Sequence, residues 1–572
     1  MLTPRLIASA GALVLAACGG PAEPAAESES QCRVDQTPIT AVQGERFSSP
    51  LEDSIVTVRG IVTRLEPGQG FYIEEAATAG AASRALFVAS APISQQLRTG
   101  QDLSIRGRVA ELGSGWDTLT SLVDVDSYTI CADAAALPQT QAMLPLGPED
   151  REALEGMRLE FAAPLSLTDH YQMHRGEWTV SSGPPLRLPT EDAAPGADAD
   201  ALARENRERS IGIILPGPGL PALPAGTFVG PLRGVLGHHN QQQRLLLEST
   251  PRAAPSNPDG IEPPVEGRLR IVSLNLLNYF NGDGQGGGFP TARGAKTPSD
   301  FQAQQQRTAA AIERLQPHLL GVQELENDGF GPLGAAQSLL GLLNRTGNPD
   351  WAFIDPGVGT VGEDIITVGL FYRQQLLEPI GPAELLRGPP FDALSRVPMA
   401  QLFRIRSSGA SLLVAVNHLK SKGRCPDSGP NADQGDGQGC WNRARVDAVN
   451  AILPWLDDLA EKFATRQVLI VGDMNAWRRE DPIRAYREGG YVDLVEELSG
   501  LPQHSFLYFG QRGTLDYALA SPALRAQARH AAIWHINADW PRELALPAPW
   551  LRMSDHDPVV VDFEFSQAAT SD

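Results

Sequence analysis

The sequence predicts an α+β protein of several domains, with small β-rich units first and one large mixed domain last. Three observations predict it. The chain has 572 residues, and at roughly 150 residues per domain that suggests three or four cores. Its first half alternates short, β-branched apolar runs with glycine turns. From Arg268 onward, buried-looking strands recur and most end in a polar residue. A hydrophobic content of 42% excludes a fully disordered chain. The 68 acidic residues outnumber 47 basic ones, for a net charge of −21. Such a surface repels nucleic acid on average and excludes a stoichiometric nucleic-acid coat. It does not exclude a nuclease, which needs only a local basic strip and a bound metal. No apolar run reaches ~18 residues, so no membrane-spanning helix is expected in the mature chain.

Residues 1–17 carry one charge, Arg5, before the apolar run Leu6 to Ala17, the pattern of an export signal. The segment ends Leu-Ala-Ala-Cys18-Gly19. This resembles a bacterial lipobox, in which Cys18 is lipidated and becomes the mature N-terminus. Gly19 in place of an aspartate implies an outer-membrane lipoprotein or a cell-surface or extracellular protein, whose contact with membrane is through that anchor alone. Residues 18–36 then read as a flexible tether. Four cysteines remain, Cys32, Cys131, Cys425 and Cys440, an even number that suits disulfides in an oxidising compartment. Three pairings are open. Proximity favours Cys425 with Cys440, leaving Cys32 and Cys131 to clasp the ends of the first domain. A four-cysteine zinc site is the rival, but the close C-x₂₋₄-C spacing is missing.

Residues 37–140 contain about five strand-like runs, among them Ile55 to Thr63, Gly70 to Glu74, Ala85 to Val88 and Asp102 to Val109. These suggest a small barrel and resemble an OB-fold. Such folds often bind single-stranded nucleic acid through surface aromatics, for which Phe71, Tyr72 and Trp116 are the candidates; a purely structural domain is the alternative. Residues 141–250 form a second β-rich region around an Ala/Asp-rich segment, Glu191 to Arg209. The adjacent His238 and His239 would point to opposite faces of a strand and read as a solvated turn rather than a metal site. Five prolines mark residues 251–267 as a linker, and residues 268–566 form the last domain.

In that domain RIVSL leads to Asn275, LLGVQ to Glu324, LLVAVN to His418, and VLIVG to Asp473 and Asn475. Thr514-Leu515 leads to Asp516, and Ser554-Asp555-His556-Asp557 precedes the strand Val559 to Phe563. Six strand ends drawn from Asn, Glu, His and Asp suggest convergence on one site, where buried charges require a metal or mutual pairing.

The set N-x-x-N (275–278), Q-E (323–324), N-H-L-K-S-K (417–422), G-D-M-N-A (472–476), L-D-Y-A-L (515–519) and S-D-H-D-P (554–558) resembles the endonuclease/exonuclease/phosphatase superfamily. That resemblance implies a deoxyribonuclease I-like four-layer α/β-sandwich: two packed sheets flanked by helices. The loops 278–295 and 425–441, with QELENDG (323–329), look like the large secreted bacterial extracellular nucleases, which also carry an N-terminal OB-like region. The second loop reads as a disulfide-held loop beside the substrate. Asp433 and Asp436 offer a structural Ca²⁺ site as the alternative, without EF-hand spacing.

The resemblance also assigns roles. Glu324 is the main ligand of Mg²⁺ or Mn²⁺, with Asn275 beside it and Asp555 as a second carboxylate; hard oxygen donors suit these ions. His556 is the general base or phosphate stabiliser, held by Asp516. Asp473 and Asn475 position the attacking water and a phosphate oxygen. His418 contacts the phosphate or protonates the leaving group, with Asp364 orienting it. Lys420, Lys422 and Arg443 are candidate phosphate contacts. Asn278 reads as a turn cap, Asp557 as a turn residue before proline, and Met474 and Trp477 as core.

Three functions are compatible with this reading. A metal-dependent nuclease for extracellular nucleic acid, DNA or RNA, is favoured by the two loops and the OB-like region. A phosphomonoesterase, or a phospholipid or inositol-phosphate phosphodiesterase, would use the same fold on another substrate. A catalytically inactive binding module is opposed by the complete set of site residues.

Overall fold

A computed structural model describes residue 32 and residues 35–565, except 77–81, 115–116, 218–221, 254–259, 285–286, 347–348, 392–393, 501 and 543–545. The export signal, Cys18 and most of the tether lie outside the described residues, as does Trp116. No described helix is long and apolar enough to cross a membrane.

The chain divides into two compact units. The first ends at Thr140 and adds Glu149–Arg158 and Val235–Gln242. Its centre is a closed barrel of β1 (Ile55–Glu66), β2 (Gly70–Glu74), β3 (Ala85–Val88), β4 (Asp102–Ser114) and β5 (Asp117–Ala132), in the order β1-β2-β3-β5-β4. Alternating side chains of these strands fill the interior, among them Val58, Phe71, Ile73, Leu86, Ile105 and Leu122. Fully burying an aliphatic or aromatic side chain stabilises by about 1.5–3 kcal/mol. The aromatic platform expected on the surface is therefore not there: Phe71 and Tyr72 are 0% and 1% exposed. Cys32 and Cys131 are bonded to each other.

The second unit holds everything else, so residues 141–250, expected as a domain of their own, largely share one compact unit with the catalytic sandwich. Its accessory sheet is built from β6 (Thr140–Gln141), β7 (Arg158–Phe161), β8 (Leu165–Asp169), β9 (Glu177–Ser181), β10 (Ser210–Ile214), β11 (Phe228–Val229), β12 (Leu232–His239) and β13 (Gln242–Leu247). Their order is β11-β8-β9-β10-β13-β12-β7-β6, with Thr140 of β6, Arg158 of β7, Val235–His239 of β12 and Gln242 of β13 belonging to the first unit. His238 and His239 close β12 and are half-buried, rather than lying in a solvated turn; the turn itself is Asn240–Gln241, both at positive φ. The Ala/Asp-rich segment forms the helices Pro189–Asp192 and Ala197–Glu208.

The sandwich begins with β14 (Leu269–Tyr279), β15 (Leu319–Glu326), β16 (Trp351–Phe353) and β17 (Ile366–Arg373). It continues with β18 (Leu377–Leu385), β19 (Met399–Ile405), β20 (Ser411–His418), β21 (Val468–Asp473) and β22 (Val492–Asp493). The short hairpin β23 (Phe506–Tyr508) and β24 (Gln511–Gly513) precedes β25 (Asp516–Ala520), β26 (Ala528–Ile533) and β27 (Val559–Phe563). Two six-stranded sheets result, β16-β17-β15-β14-β27-β26 and β18-β19-β20-β21-β25-β22. Residues of both, such as Leu319, Val368, Leu413 and Ile470, share one core. The helices Pro298–Leu315 and Ala335–Arg345 cover the outer face of the first sheet. The amphipathic helix Asn442–Lys462 turns Ala448, Ile452 and Leu456 onto the second. Four layers follow because the central strands are buried on both faces and need apolar cover on each. The first of these helices starts at a capping box between Thr297 and Asp300, with Pro298 at its first position.

Candidate active site

Backbone register brings the polar strand ends together. In the second sheet His418 pairs with Asp473 across β20 and β21, and Asp473 pairs with Asp516 across β21 and β25. Residues opposite one another in register share a face, so three neighbouring strands present His418, Asp473 and Asp516 as one row. Gly472, just before Asp473, has φ +134, and a Cβ there would lie 1.9 Å from the Asn417 carbonyl oxygen. Only glycine permits this close approach of β20 and β21. In the first sheet the β14–β15 register breaks between Asn275 and Tyr279, and β15–β17 breaks between Val322 and Leu325. Leu277, Asn278 and Glu324 take positive φ at these irregularities. Bulges re-aim side chains, here turning Asn278 and Glu324 out of the ladder just past the Asn275–Gln323 pair.

His556 joins from the segment before β27. Its Nδ1 lies 2.7 Å from Asp516 Oδ2, and its Nε2 lies 3.9 Å from Asp473 Oδ2. Asp473 Oδ2 is also 3.5 Å from His418 Nε2, while its Oδ1 accepts the Asn475 N–H at 2.8 Å. Asn475 sits at φ 48 and donates its amide to the Leu419 carbonyl at 3.1 Å. The ligand-type atoms of Asp473, Asp516 and His556 lie within 4.8 Å of one another, all buried. Electrostatics separate the two histidines. Burial opposes a charge on His556, but Asp516 and Asp473 outweigh it and hold its pKa well above the usual value. Burial, then the positive charges of Arg396 and His556, push His418 well below. The first is thus an imidazolium donor and the second a neutral one. Burial raises Asp473 above the ordinary carboxylate range, which favours its accepting a proton from water.

Glu324 Oε2 accepts the Asn278 N–H at 2.8 Å. Burial and the negative charge of Asp555 raise its pKa, the signature of a carboxylate pair that a cation would relieve. Asn275 Oδ1 accepts the Leu277 N–H at 2.9 Å, while Asn275 Nδ2 and Asn278 Oδ1 are buried without partners. Hard oxygen donors, with Asn278 Oδ1 still free to accept, fit a divalent cation. Glu324, Asp555 and Asn275 would hold it, and it would supply charge neutralisation at a phosphate oxygen.

Several expected roles need correction. Asp364 does not reach His418; its carboxylate faces Arg396 at 3.5 Å and Arg293 at 4.0 Å, and His418 Nδ1 has no hydrogen-bond partner among the described residues. Lys422 is not free for phosphate: its Nζ lies 2.6 Å from both carboxylate oxygens of buried Glu480. Arg443 pairs with Asp447 one helical turn on, exposed at the surface. Lys420 is half-buried over the Trp441 ring at 4.7 Å, its pKa lowered to about 8 by burial and by Arg396, Arg445 and Arg424. Asp433 accepts from Gly435 N–H and Asp436 from Gln438, so each closes its own turn. Cys425 and Cys440 are bonded across that loop. Asn278 does more than cap a turn, since its N–H holds Glu324. Asp557 receives the backbone N–H groups of Ile536, Asn537 and Ala538 and so anchors a whole loop. Met474 and Trp477 are core, 0% and 5% exposed.

Some residues gave no sequence signal. Arg396 and Arg293 are the cations whose charge acts on both Glu324 and His418. Glu191 of the accessory region is fully buried and accepts from Arg478 Nε at 3.0 Å, Thr514 N at 3.1 Å and Thr514 Oγ1 at 3.0 Å. Arg478 continues to Asp493 at 2.7 Å. Thr190 bonds Glu480 at 2.9 Å. These contacts grip the segments directly after Asn475 and directly before Asp516. A second polar cluster stacks His504 on His535, with ring centroids 4.1 Å apart, between Asp539 and Asp557.

Two packed sheets that gather an Asp–His pair, a second histidine and acidic metal-type donors at their strand ends define a hydrolase of the sandwich class. Residues 272–556 match the model of the Endonuclease/Exonuclease/phosphatase family, and this domain of the chain belongs to that family, which is typically dependent on a divalent metal. Solved structures resemble the same half of the chain. The human Nocturnin catalytic domain, with bound sulfate, is 18% identical, with a TM-score of 0.36 over 53% of this chain and 96% of that one. A mannosyl-6-phosphatase of Bacteroides thetaiotaomicron is 16% identical, with a TM-score of 0.36 over 52% of this chain and all of its own. Danio rerio (D. rerio) TDP2, complexed with a single-strand DNA product, is 16% identical, with a TM-score of 0.34 over 52% and 100%. No curated protein matches the sequence.

Proposed function

We propose that this protein is a Mg²⁺- or Mn²⁺-dependent phosphodiesterase that cleaves extracellular nucleic acid. The observation that carries the reading is the row His418–Asp473–Asp516 with His556 docked on it, facing Glu324 and Asp555. Asp516 fixes the His556 ring through Nδ1 and leaves Nε2 to donate to a phosphate oxygen. Asp473, held by the Asn475 N–H, takes a proton from the attacking water. Neutral His418 donates a hydrogen bond beside it. Arg396 and Arg293 add positive charge for the phosphodiester. When bound, the metal neutralises charge on the phosphate.

A polymeric substrate is favoured by the two loops, 278–295 and 425–441, that resemble secreted bacterial nucleases. Export as a lipoprotein through Cys18 accords with the two disulfides, since such bonds persist outside the reducing cytosol. The closed first barrel, with the strand order noted above, suits an OB-type module whose role is structural, because Phe71 and Tyr72 are core. The test is a side-by-side rate measurement with the chain starting at Gly19, on DNA, RNA and a simple phosphomonoester, with Mg²⁺, Mn²⁺ or EDTA. Metal-dependent cleavage of polymer, at least about 100-fold faster than monoester hydrolysis, is expected. The reverse preference would assign the site to a phosphomonoesterase of the same fold.

A further inference from the structure

A cleft of about 570 Å³ opens from the catalytic centre at Asp555 and Leu277 and runs between the accessory region and the sandwich. One wall is the segment Asp169–Arg175 that follows β8; the other is the hairpin carrying Phe506 to Phe509. Both walls belong to the same compact unit. Three features set the cleft apart from ordinary surface. Its aromatics are exposed instead of buried: Tyr171 is 78% and Phe509 73% accessible, with Tyr508 edge-on to Phe509 at 4.6 Å. Large exposed aromatics on two facing walls gain nothing from folding and mark a binding surface. Two of its cations, Arg175 and Arg542, are exposed and form no ion pair among the described residues, on a protein whose net charge is −21. Finally, His170 lines the cleft, is 8% exposed, and leaves Nε2 without a hydrogen-bond partner.

We infer that this cleft is a subsite for an unpaired nucleotide next to the scissile phosphate, so that the substrate is single-stranded nucleic acid. The inference rests on the phosphodiesterase reading above and deepens it. A volume near 570 Å³ lies within the roughly 300–1,000 Å³ typical of small-ligand sites, ample for one nucleoside with its phosphate. The base stacks against Tyr171 and Phe509, an arrangement open to any base because every base has a π-face. Arg175 and Arg542 meet the flanking phosphates. His170 Nε2 supplies a buried polar contact. A base engaged this way must leave a duplex stack, a cost that a single strand does not bear. The accessory region thus has a functional reason to be fused into the catalytic unit: it supplies the wall that reads strandedness.

Binding tests the subsite without requiring turnover. Fluorescence anisotropy, in EDTA and low salt, compares the chain starting at Gly19 on a labelled single-stranded octanucleotide, the same strand with central abasic positions, and a duplex. The native chain is expected to bind the intact strand about 10-fold more tightly than the abasic one and to bind the duplex less well. Tyr171→Ala with Phe509→Ala should erase the difference, and Tyr171→Trp should keep it. Both positions are exposed, so the fold is expected to tolerate each change, and an unchanged near-ultraviolet circular dichroism spectrum would show it. Equal binding of intact and abasic strands by the native chain, or duplex preferred over single strand, would overturn the subsite. A base preference lost in the double variant, from a chain that cleaves no phosphodiester, would keep the subsite and refute the proposed hydrolysis instead.

Discussion

Glu191 is a sharp test of how the accessory region supports the catalytic sandwich. It is fully buried, and its two oxygens accept from Arg478 N, Arg478 Nε, Thr514 N and Thr514 Oγ1 at 3.0–3.2 Å. Glu191→Ala removes these four acceptor contacts, with a longer one from Arg187 Nη2 at 3.5 Å, and leaves a buried guanidinium short of a partner. Breaking a buried pair in this way costs about 3–5 kcal/mol. Arg478 keeps Asp493 at 2.7 Å, which places the expected loss near the lower end, about 3 kcal/mol. Glu191→Gln retains the shape and one acceptor, and should lose less, about 1–2 kcal/mol. The freed donors flank Asn475 and Asp516, so the row that holds His556 should loosen as well. A misplacement near 1 Å can cost up to about 100-fold in rate. Urea unfolding measures the first effect and initial rates of polymer cleavage the second. A loss below about 1 kcal/mol together with an unaltered rate for Glu191→Ala would refute the coupling, and with it the idea that residues 141–250 are part of the catalytic machinery.

Other outcomes follow from the same geometry. Lys422→Met should lower stability by about 3 kcal/mol, because it strands Glu480, while leaving the salt dependence of DNA binding unchanged; a reduced salt slope would make Lys422 a phosphate contact after all. Cleavage of polymer should fall steeply as salt rises, since an acidic protein holds a polyanion only through local cations; a flat rate from 20 to about 200 mM salt would argue against a polyanionic substrate. Replacing both Cys425 and Cys440 by serine opens a loop of 15 residues, and should cost about 3 kcal/mol in thermal or urea unfolding; an unchanged midpoint would show that the loop is held by other contacts. In the first unit, burial raises the Glu74 carboxyl to about 7 against the opposing Arg158 N–H and Arg84 charge. A carboxyl whose folded pKa is raised binds its proton more tightly when folded, so its contribution is full below the unfolded value of about 4.5 and is lost as pH rises through about 7. That contribution should fall by about 2.5 kcal/mol between pH 5 and pH 8, and Glu74→Gln should flatten the difference in melting experiments; a native pH trend that persists in the variant would place its origin elsewhere.

The strands of the sandwich were readable because parallel and central strands are buried on both faces and spell themselves as apolar runs. Their polar ends were readable for the same reason, as breaks in those runs: Asn275, Glu324, His418, Asp473 and Asp516. Which of these residues touch was not written locally. His556 and Asp516 are 40 residues apart, and only the resemblance to a family suggested their pairing. The failures have a common cause. Lys422 and Arg443 looked like free cations because a sequence does not show the carboxylate opposite: Glu480 is 58 residues from Lys422, and Asp447 lies one helical turn from Arg443, in a helix the reading had not drawn. Asp364 stood before a strand, as an orienting residue should, yet Arg396 claims it. Phe71 and Tyr72 looked like surface aromatics because a barrel strand gives no local sign of which face closes inward. Glu191 sits 287 residues from Arg478, in a segment whose composition suggested nothing buried. The cleft is of the same kind, since its walls, near residues 170 and 508, meet only through the tertiary fold.

The central claim is that the converging strand ends hydrolyse phosphodiesters with a divalent metal. Digestion of a labelled single-stranded DNA by the chain starting at Gly19, followed on a denaturing gel with Mg²⁺, with Mn²⁺ and with EDTA, beside His556→Ala, tests it most directly. The account predicts metal-dependent cleavage of the strand that EDTA abolishes and that His556→Ala slows by about 100-fold or more. Intact strand under both metals from a folded chain, or cleavage by His556→Ala at the native rate, would contradict it.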